Sequence, residues 1–185
     1  QPTPPSPVLH PSWHECTWPH PADGRTAIIL RENLVAACAR TGLPDVTALP
    51  GVLPLLDAVG GNAPYLSDLA QRDIEAFMDL LTQGAETCTR RILDRLEALP
   101  PDMPRAQVMA ELRVAKRQAA LAIALADTGG AWGLEQVTLA LSELAENALG
   151  AAVRHLLLHA HETGRLRLRN PENPCRGSGF VVLAM

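Results

Sequence analysis

The chain has 185 residues, a formal net charge of −4 and a 47% hydrophobic content that is only 3% aromatic. The acidic balance argues against general nucleic-acid binding, which needs a basic surface to neutralise phosphates. No apolar run approaches the roughly 20 residues that span a bilayer, so no membrane segment is expected.

Ala and Leu dominate the apolar residues, and both are strong helix formers, so the composition points to a mainly α body. The first 22 residues carry Pro2, Pro4, Pro5, Pro7, Pro11, Pro19 and Pro21. Proline lacks the donor that helices and sheets require, so residues 1–22 are expected to form an irregular, mobile arm. An all-α domain is expected over 23–164. Its first helix runs from Thr26 to Arg40, with Ile29, Leu34, Ala37 and Cys38 at helical spacing and Gly42 and Pro44 as stop signals. A short helix follows from Val52 to Val59, closed by Gly60-Gly61, and Asn62-Ala63-Pro64 reads as the capped start of the next. Arg72-Asp73 mark a break before a helix from Ile74 to Leu81. Another spans Ala85 to Leu99, with Ile92, Leu93, Leu96 and Leu99 inward.

Two longer helices follow. One, from Pro104 to Asp127, carries the stripe Val108, Leu112, Ala115, Ala119 and Ala122. The other, from Leu134 to His161, carries Leu134, Val137, Leu141, Leu144, Ala148 and Ala152. Alanine stripes let helix backbones approach closely, so the two are expected to pair through the Thr128–Gly133 turn. Residues 165–176 form a linker. Gly177-Ser178-Gly179 then lead into Phe180-Val181-Val182-Leu183, an apolar run that reads as a buried strand over 177–185. The expected fold is a helical bundle-like domain followed by the first strand of a truncated α/β domain.

Few residues suggest chemistry. Arg113, Lys116 and Arg117 share a helix face at i, i+3 and i+4. Such a triad suits phosphate oxygens or an acidic partner, and equally suits a solvated outer face. His155 and His159 have the i, i+4 spacing of two metal ligands, but Leu156 follows where the H-E-x-x-H motif has Glu. His14, Cys16 and His20 match no zinc spacing, so no metal site is expected. Ser142, Glu143 and Glu146 read as the exposed side of the last helix. The four cysteines form no C-x-x-C pair and read as reduced thiols of an intracellular, cytoplasmic protein. On these grounds two readings remain open: a helical protein-interaction module without catalytic activity, and a helical metal-binding protein using His155 and His159.

Four segments, in order, resemble a family: the bacterial bifunctional glutamine-synthetase adenylyltransferase and adenylyl-removing enzyme, in its N-terminal half. They are Gly61-Asn62-Ala63-Pro64-Tyr65-Leu66-Ser67-Asp68-Leu69, similar to G-x-S-P-[FY]-L-x-x-L, and Leu112-Arg113-Val114-Ala115-Lys116-Arg117, similar to L-R-x-x-K-R. The third runs from Trp132-Gly133-Leu134-Glu135-Gln136-Val137-Thr138 to Leu144-Ala145, and the fourth is Gly177 to Met185. Gly133 stands where the family often has Pro, and Ala184 where it usually has Gly.

The resemblance implies that the final strand opens a nucleotidyltransferase domain continuing into a Gly-Lys-x-Gly turn and a Ser-Asp-x-Asp segment beyond Met185. Those carboxylates would hold catalytic Mg²⁺, and ATP would donate AMP to a tyrosine of glutamine synthetase, with removal by phosphorolysis. It further implies regulation of nitrogen assimilation, with glutamine and a PII-type signalling protein as regulators. The chain is accordingly expected to be an N-terminal fragment, inactive alone and without a cofactor of its own. Arg113, Lys116, Arg117, Gly177, Ser178 and Gly179 are the residues expected near nucleotide phosphate.

Overall fold

A computed structural model describes residues 7–183. Eight α-helices and no strand occur among them. They are α1 (Pro11–His14), α2 (Gly24–Thr41), α3 (Leu53–Asn62), α4 (Pro64–Arg72), α5 (Ile74–Gln83), α6 (Ala85–Glu97), α7 (Arg105–Thr128) and α8 (Leu134–Glu162). A 3-10 turn at Val46–Ala48 links α2 to α3.

The helices build two adjoining cores, and α7 serves both. Leu34, Leu55, Leu56, Phe77, Leu81 and Leu125 lie in the first, which gathers α2 to α5 on the C-terminal half of α7. Ile92, Leu96, Ala115, Ala119, Val137 and Ala151 lie in the second, between α6, α7 and α8. α8 runs back along α7: it leaves the turn after Gly129 and brings His155 to Pro101, just before α7 begins.

Local chemistry explains most boundaries. Asp23 Oδ1 accepts from the Arg25 and Thr26 amides at 2.8 and 3.4 Å, capping α2, and Gly42 ends that helix at φ 71°. Asp73 Oδ1 accepts from the Ala76 amide at 3.2 Å, which starts α5 at the expected break. At the start of α8 the Gly133 amide donates to Gln136 Oε1 at 3.1 Å. Glycine has no side chain to return that bond, so only half of a capping box forms.

Several expectations are corrected. The described part of the proline-rich arm, residues 7–22, is docked on the helices. Trp13 is 2% exposed, and its Nε1 donates to the Leu80 carbonyl at 3.1 Å. Backbone bonds from His10 to Leu81 and from Thr17 to Gly129 continue the attachment. The prolines prevent a long helix without preventing burial, because side chains and a few amides suffice to anchor an extended segment. Pro2, Pro4 and Pro5 lie outside the described residues.

α3 does not stop at Gly60-Gly61 but runs through them to Asn62. A Cβ on Gly61 would lie 2.2 Å from Pro21 Cβ, so this glycine serves close approach rather than termination. Asn62 caps nothing: its Nδ2 donates to the Ala58 and His20 carbonyls, and its Oδ1 accepts from the Ala22 amide. The apolar stripe of α8 matches the expected one at Val137, Leu144 and Ala148 and departs from it at Leu134 and Leu141. Val137, Ala140, Ala151 and Leu158 face inward, whereas Leu134 and Leu141 are 80% and 49% exposed. Close packing on the alanines of α7 favours small residues at the contact and leaves leucines outside.

The strand expected over 177–185 is not formed in its described part, 177–183. Gly177 and Gly179 adopt φ of 70° and 72°, and Phe180 to Leu183 are exposed. A strand needs a neighbouring edge, and no other strand exists among the described residues to supply one. Ala184 and Met185 lie outside them.

Candidate functional site

The triad on α7 is divided by the fold. Arg113 and Lys116 are exposed, while Arg117 is half-buried and lines a cleft of about 150 Å³. The cleft lies where the end of α4 meets α5, α6 and α7. Leu69, Leu80, Ile92 and Leu121, all buried, form its apolar floor. Four arginines surround it, Arg72, Arg91, Arg95 and Arg117, against two aspartates, Asp73 and Asp79.

A chain of hydrogen bonds shapes one wall. Arg95 donates to Gln118 Oε1 at 2.8 Å, and Gln118 Nε2 donates to Asp73 Oδ2 at 2.8 Å. Since Asp73 also caps α5, this chain ties α6 and α7 to the α4–α5 break. Arg95 Nε lies 3.6 Å from Glu111, and Arg72 Nε lies 2.8 Å from Asp68 one turn earlier on its own helix. Arg91 and Arg117 have no ion-pair or hydrogen-bond partner among the described residues. The Cys88 thiol is in the same wall. Burial is the main cause that raises its pKa above the ordinary 9.0; Asp79 adds to the rise and Arg91 opposes it. At neutral pH it is therefore a neutral thiol and a poor nucleophile.

The cleft joins positive charge to an apolar floor, the combination suited to holding an oxyanion. Only Arg117 of the expected residues belongs to it. Gly177, Ser178 and Gly179 lie instead in an exposed turn, where Ser178 Oγ donates to the Cys175 carbonyl at 3.0 Å and accepts from the Phe180 amide at 3.1 Å. The sequence reading missed Arg91 and Arg95. Their signal was present: two arginines at i, i+4 repel on an isolated helix, a cost that an external anion relieves.

The other candidates resolve as structure. His155 is buried, with Nδ1 3.1 Å from the Pro101 carbonyl. A carbonyl only accepts, so Nδ1 carries the proton. His159 is exposed, its ring nearly parallel to that of His155 with centroids 6.3 Å apart. No group of three or more His, Cys, Asp or Glu side chains suited to a metal occurs among the described residues. Ser142 Oγ bonds back to the Thr138 carbonyl at 2.9 Å. All four cysteines are unpaired. No described helix is long and apolar enough to cross a membrane.

Fold and cleft together define a helical module with an arginine-lined anion-type recess. The profile of the glutamate-ammonia ligase adenylyltransferase family matches residues 53–185, and the chain belongs to that family. Among its relatives, the bifunctional glutamine synthetase adenylyltransferase/adenylyl-removing enzyme of Rhodopseudomonas palustris is 41% identical over 137 residues, covering 74% of this chain and 14% of the relative. The protein of the same name from Agrobacterium fabrum is 37% identical over 157 residues, covering 77% and 15%. That from Xanthobacter autotrophicus is 36% identical over 178 residues, covering 86% and 18%. The chain thus spans less than a fifth of the length of these relatives. No solved structure matches it significantly.

Proposed function

We infer that the chain is the helical N-terminal portion of an enzyme that adenylylates and de-adenylylates glutamine synthetase, and that it belongs to the adenylyl-removing half. The observation that carries this reading is the family match over residues 53–185, joined to relatives whose name includes both activities. The ordered segments Gly61–Leu69, Leu112–Arg117 and Gly177–Met185 agree with it. In the whole enzyme, AMP passes from ATP to a tyrosine of glutamine synthetase and is removed by phosphorolysis, under control by glutamine and a PII-type protein in the cytoplasm. Residues 177–185 then open the nucleotidyltransferase domain and acquire their sheet partners from it.

Mg²⁺ and ATP are cofactors of that whole enzyme. The described residues offer no group of three or more His, Cys, Asp or Glu side chains that could hold Mg²⁺. The helices of residues 23–164 support the catalytic domain. The basic face formed by Arg113, Lys116 and Arg117 lies toward nucleotide phosphate or at the boundary with that domain.

The test is a chimera in which this chain replaces the matching segment of the Rhodopseudomonas palustris enzyme, beside a form lacking the segment. The chimera should release ADP from adenylylated glutamine synthetase with phosphate and Mg²⁺, and the deletion should lose that release while retaining AMP transfer. Loss of transfer with removal intact would assign the chain to the other half. The 185-residue chain alone should have neither activity, and ADP release by it would overturn the fragment reading.

A further inference from the structure

We propose that the cleft between α5, α6 and α7 is a binding site for a small organic oxyanion. A carboxylate or phosphate group pairs with Arg91 and Arg117, and a compact apolar body lies on Leu69, Leu80 and Leu121.

Three observations converge. The first is charge. Asp73 and Asp79 are the carboxylates of the cleft, and Asp73 is already bonded to the Ala76 amide and to Gln118. Arg72 and Arg95 have carboxylate partners outside the cleft lining, Asp68 and Glu111, whereas Arg91 and Arg117 have neither an ion-pair nor a hydrogen-bond partner among the described residues. Arg91 is exposed and Arg117 half-buried; a half-buried guanidinium without a partner is costly, and a bidentate oxyanion relieves that cost.

The second is shape. A recess of about 150 Å³ exceeds what a bare phosphate or acetate fills. Voids of that size in apolar surroundings admit a benzene-sized molecule. The third is rigidity. The Asp73–Gln118–Arg95 chain fixes the wall on three helices, so the site is formed before a ligand arrives.

The site deepens the reading of the basic face, since Arg117 is the member that meets a ligand, but it does not depend on the enzyme's chemistry. Retained catalysis with lost anion binding, or the reverse, separates the two.

The experiment titrates the 185-residue chain with benzoate, phenyl phosphate, inorganic phosphate and benzyl alcohol at constant ionic strength, followed by amide chemical shifts. Benzoate or phenyl phosphate should saturate, with shifts confined to α5, α6 and α7, and the tighter of the two identifies the head group. Inorganic phosphate and benzyl alcohol, which lack the body or the charge, should each bind about tenfold or more weaker.

Arg117→Gln and Arg91→Gln should each weaken the organic anion about tenfold or more, while Arg40→Gln, exposed at the end of α2 and outside the cleft, leaves it unchanged. Circular dichroism establishes that the variants fold, and Arg117→Lys supplies a charge-retaining second variant of intermediate affinity. Benzoate should also slow alkylation of Cys88 without slowing that of the exposed Cys175. Saturable binding untouched by either glutamine variant overturns the proposal, as does the absence of saturable shifts at the cleft with both organic anions.

Discussion

Gln118 Nε2 donates to Asp73 Oδ2 at 2.8 Å, joining the middle of α7 to a helix break 45 residues earlier. The same amide accepts from Arg95, so one side chain holds α6, α7 and the start of α5 in register. Gln118→Ala removes both bonds and leaves the Asp73 oxygen to find water. The expected loss is about 1–2 kcal/mol, read from urea unfolding. Unchanged stability would show that the chain is a surface accessory rather than a brace.

Trp13 makes the proline-rich segment part of the core. Trp13→Ala removes a side chain that is 2% exposed together with its bond to Leu80, and should cost about 3–5 kcal/mol. Tryptophan fluorescence during unfolding checks this from a second side. Residues 7–22 should lose native fluorescence together with the helices and not ahead of them.

Gly61 separates close contact from helix propensity. Alanine favours a helix over glycine by about 1 kcal/mol. Here its Cβ would meet Pro21 Cα at 2.7 Å and Cβ at 2.2 Å, and the clash involves backbone. Gly61→Ala is therefore expected to destabilise by about 1–3 kcal/mol despite the propensity gain. Gly24→Ala, inside α2 with nothing within 4 Å, serves as the unclashed comparison in the same thermal melts.

His155 is expected to behave as a structural donor. His155→Phe keeps an aromatic ring but leaves the half-buried Pro101 carbonyl without its partner, costing about 1 kcal/mol. Zinc titration of the unmodified chain without a histidine tag should give no stoichiometric site. One equivalent of tightly held zinc, lost in His159→Ala, would restore the metal reading.

Alkaline pH should weaken the fold through two thiols. Burial is the leading cause that holds the pKa values of Cys16 and Cys88 above the ordinary 9.0. A raised pKa means that the folded state keeps its proton longer than the unfolded chain does. The associated stability is complete below pH 9.0 and is lost as pH rises through the higher folded values. Urea midpoints should fall between neutral pH and values above 9.0, and Cys88→Ala should flatten that decline.

The long helices were legible because apolar spacing and terminal signals act over many residues. α7 and α8 begin and end within a residue of their expected limits. The glycine pair at 60 and 61 was misread, since a glycine that ends a helix and one that admits a neighbour look alike in sequence. Only the position of Pro21 distinguishes them. The inward face of α8 was legible only in part, because alanines and leucines lie on overlapping stripes and the tightness of the α7 contact chooses between them.

For the site, the residue triad was visible but its division was not. Helical spacing gives Arg113, Lys116 and Arg117 a common face, and nothing along the chain says which of them meets α6. Arg91 lies 26 residues before Arg117, so the pair exists only after α6 packs on α7.

The sequence by itself determined the helices, the ordered segments that mark the family and the basic face of α7, all carried by local spacing. The tertiary structure alone decided that Arg117 turns into an arginine-lined cleft, that the proline-rich segment is core, and that residues 177–183 form no ladder among themselves. These depend on partners remote in the chain, and a bond or a burial exists only when both sides are in place.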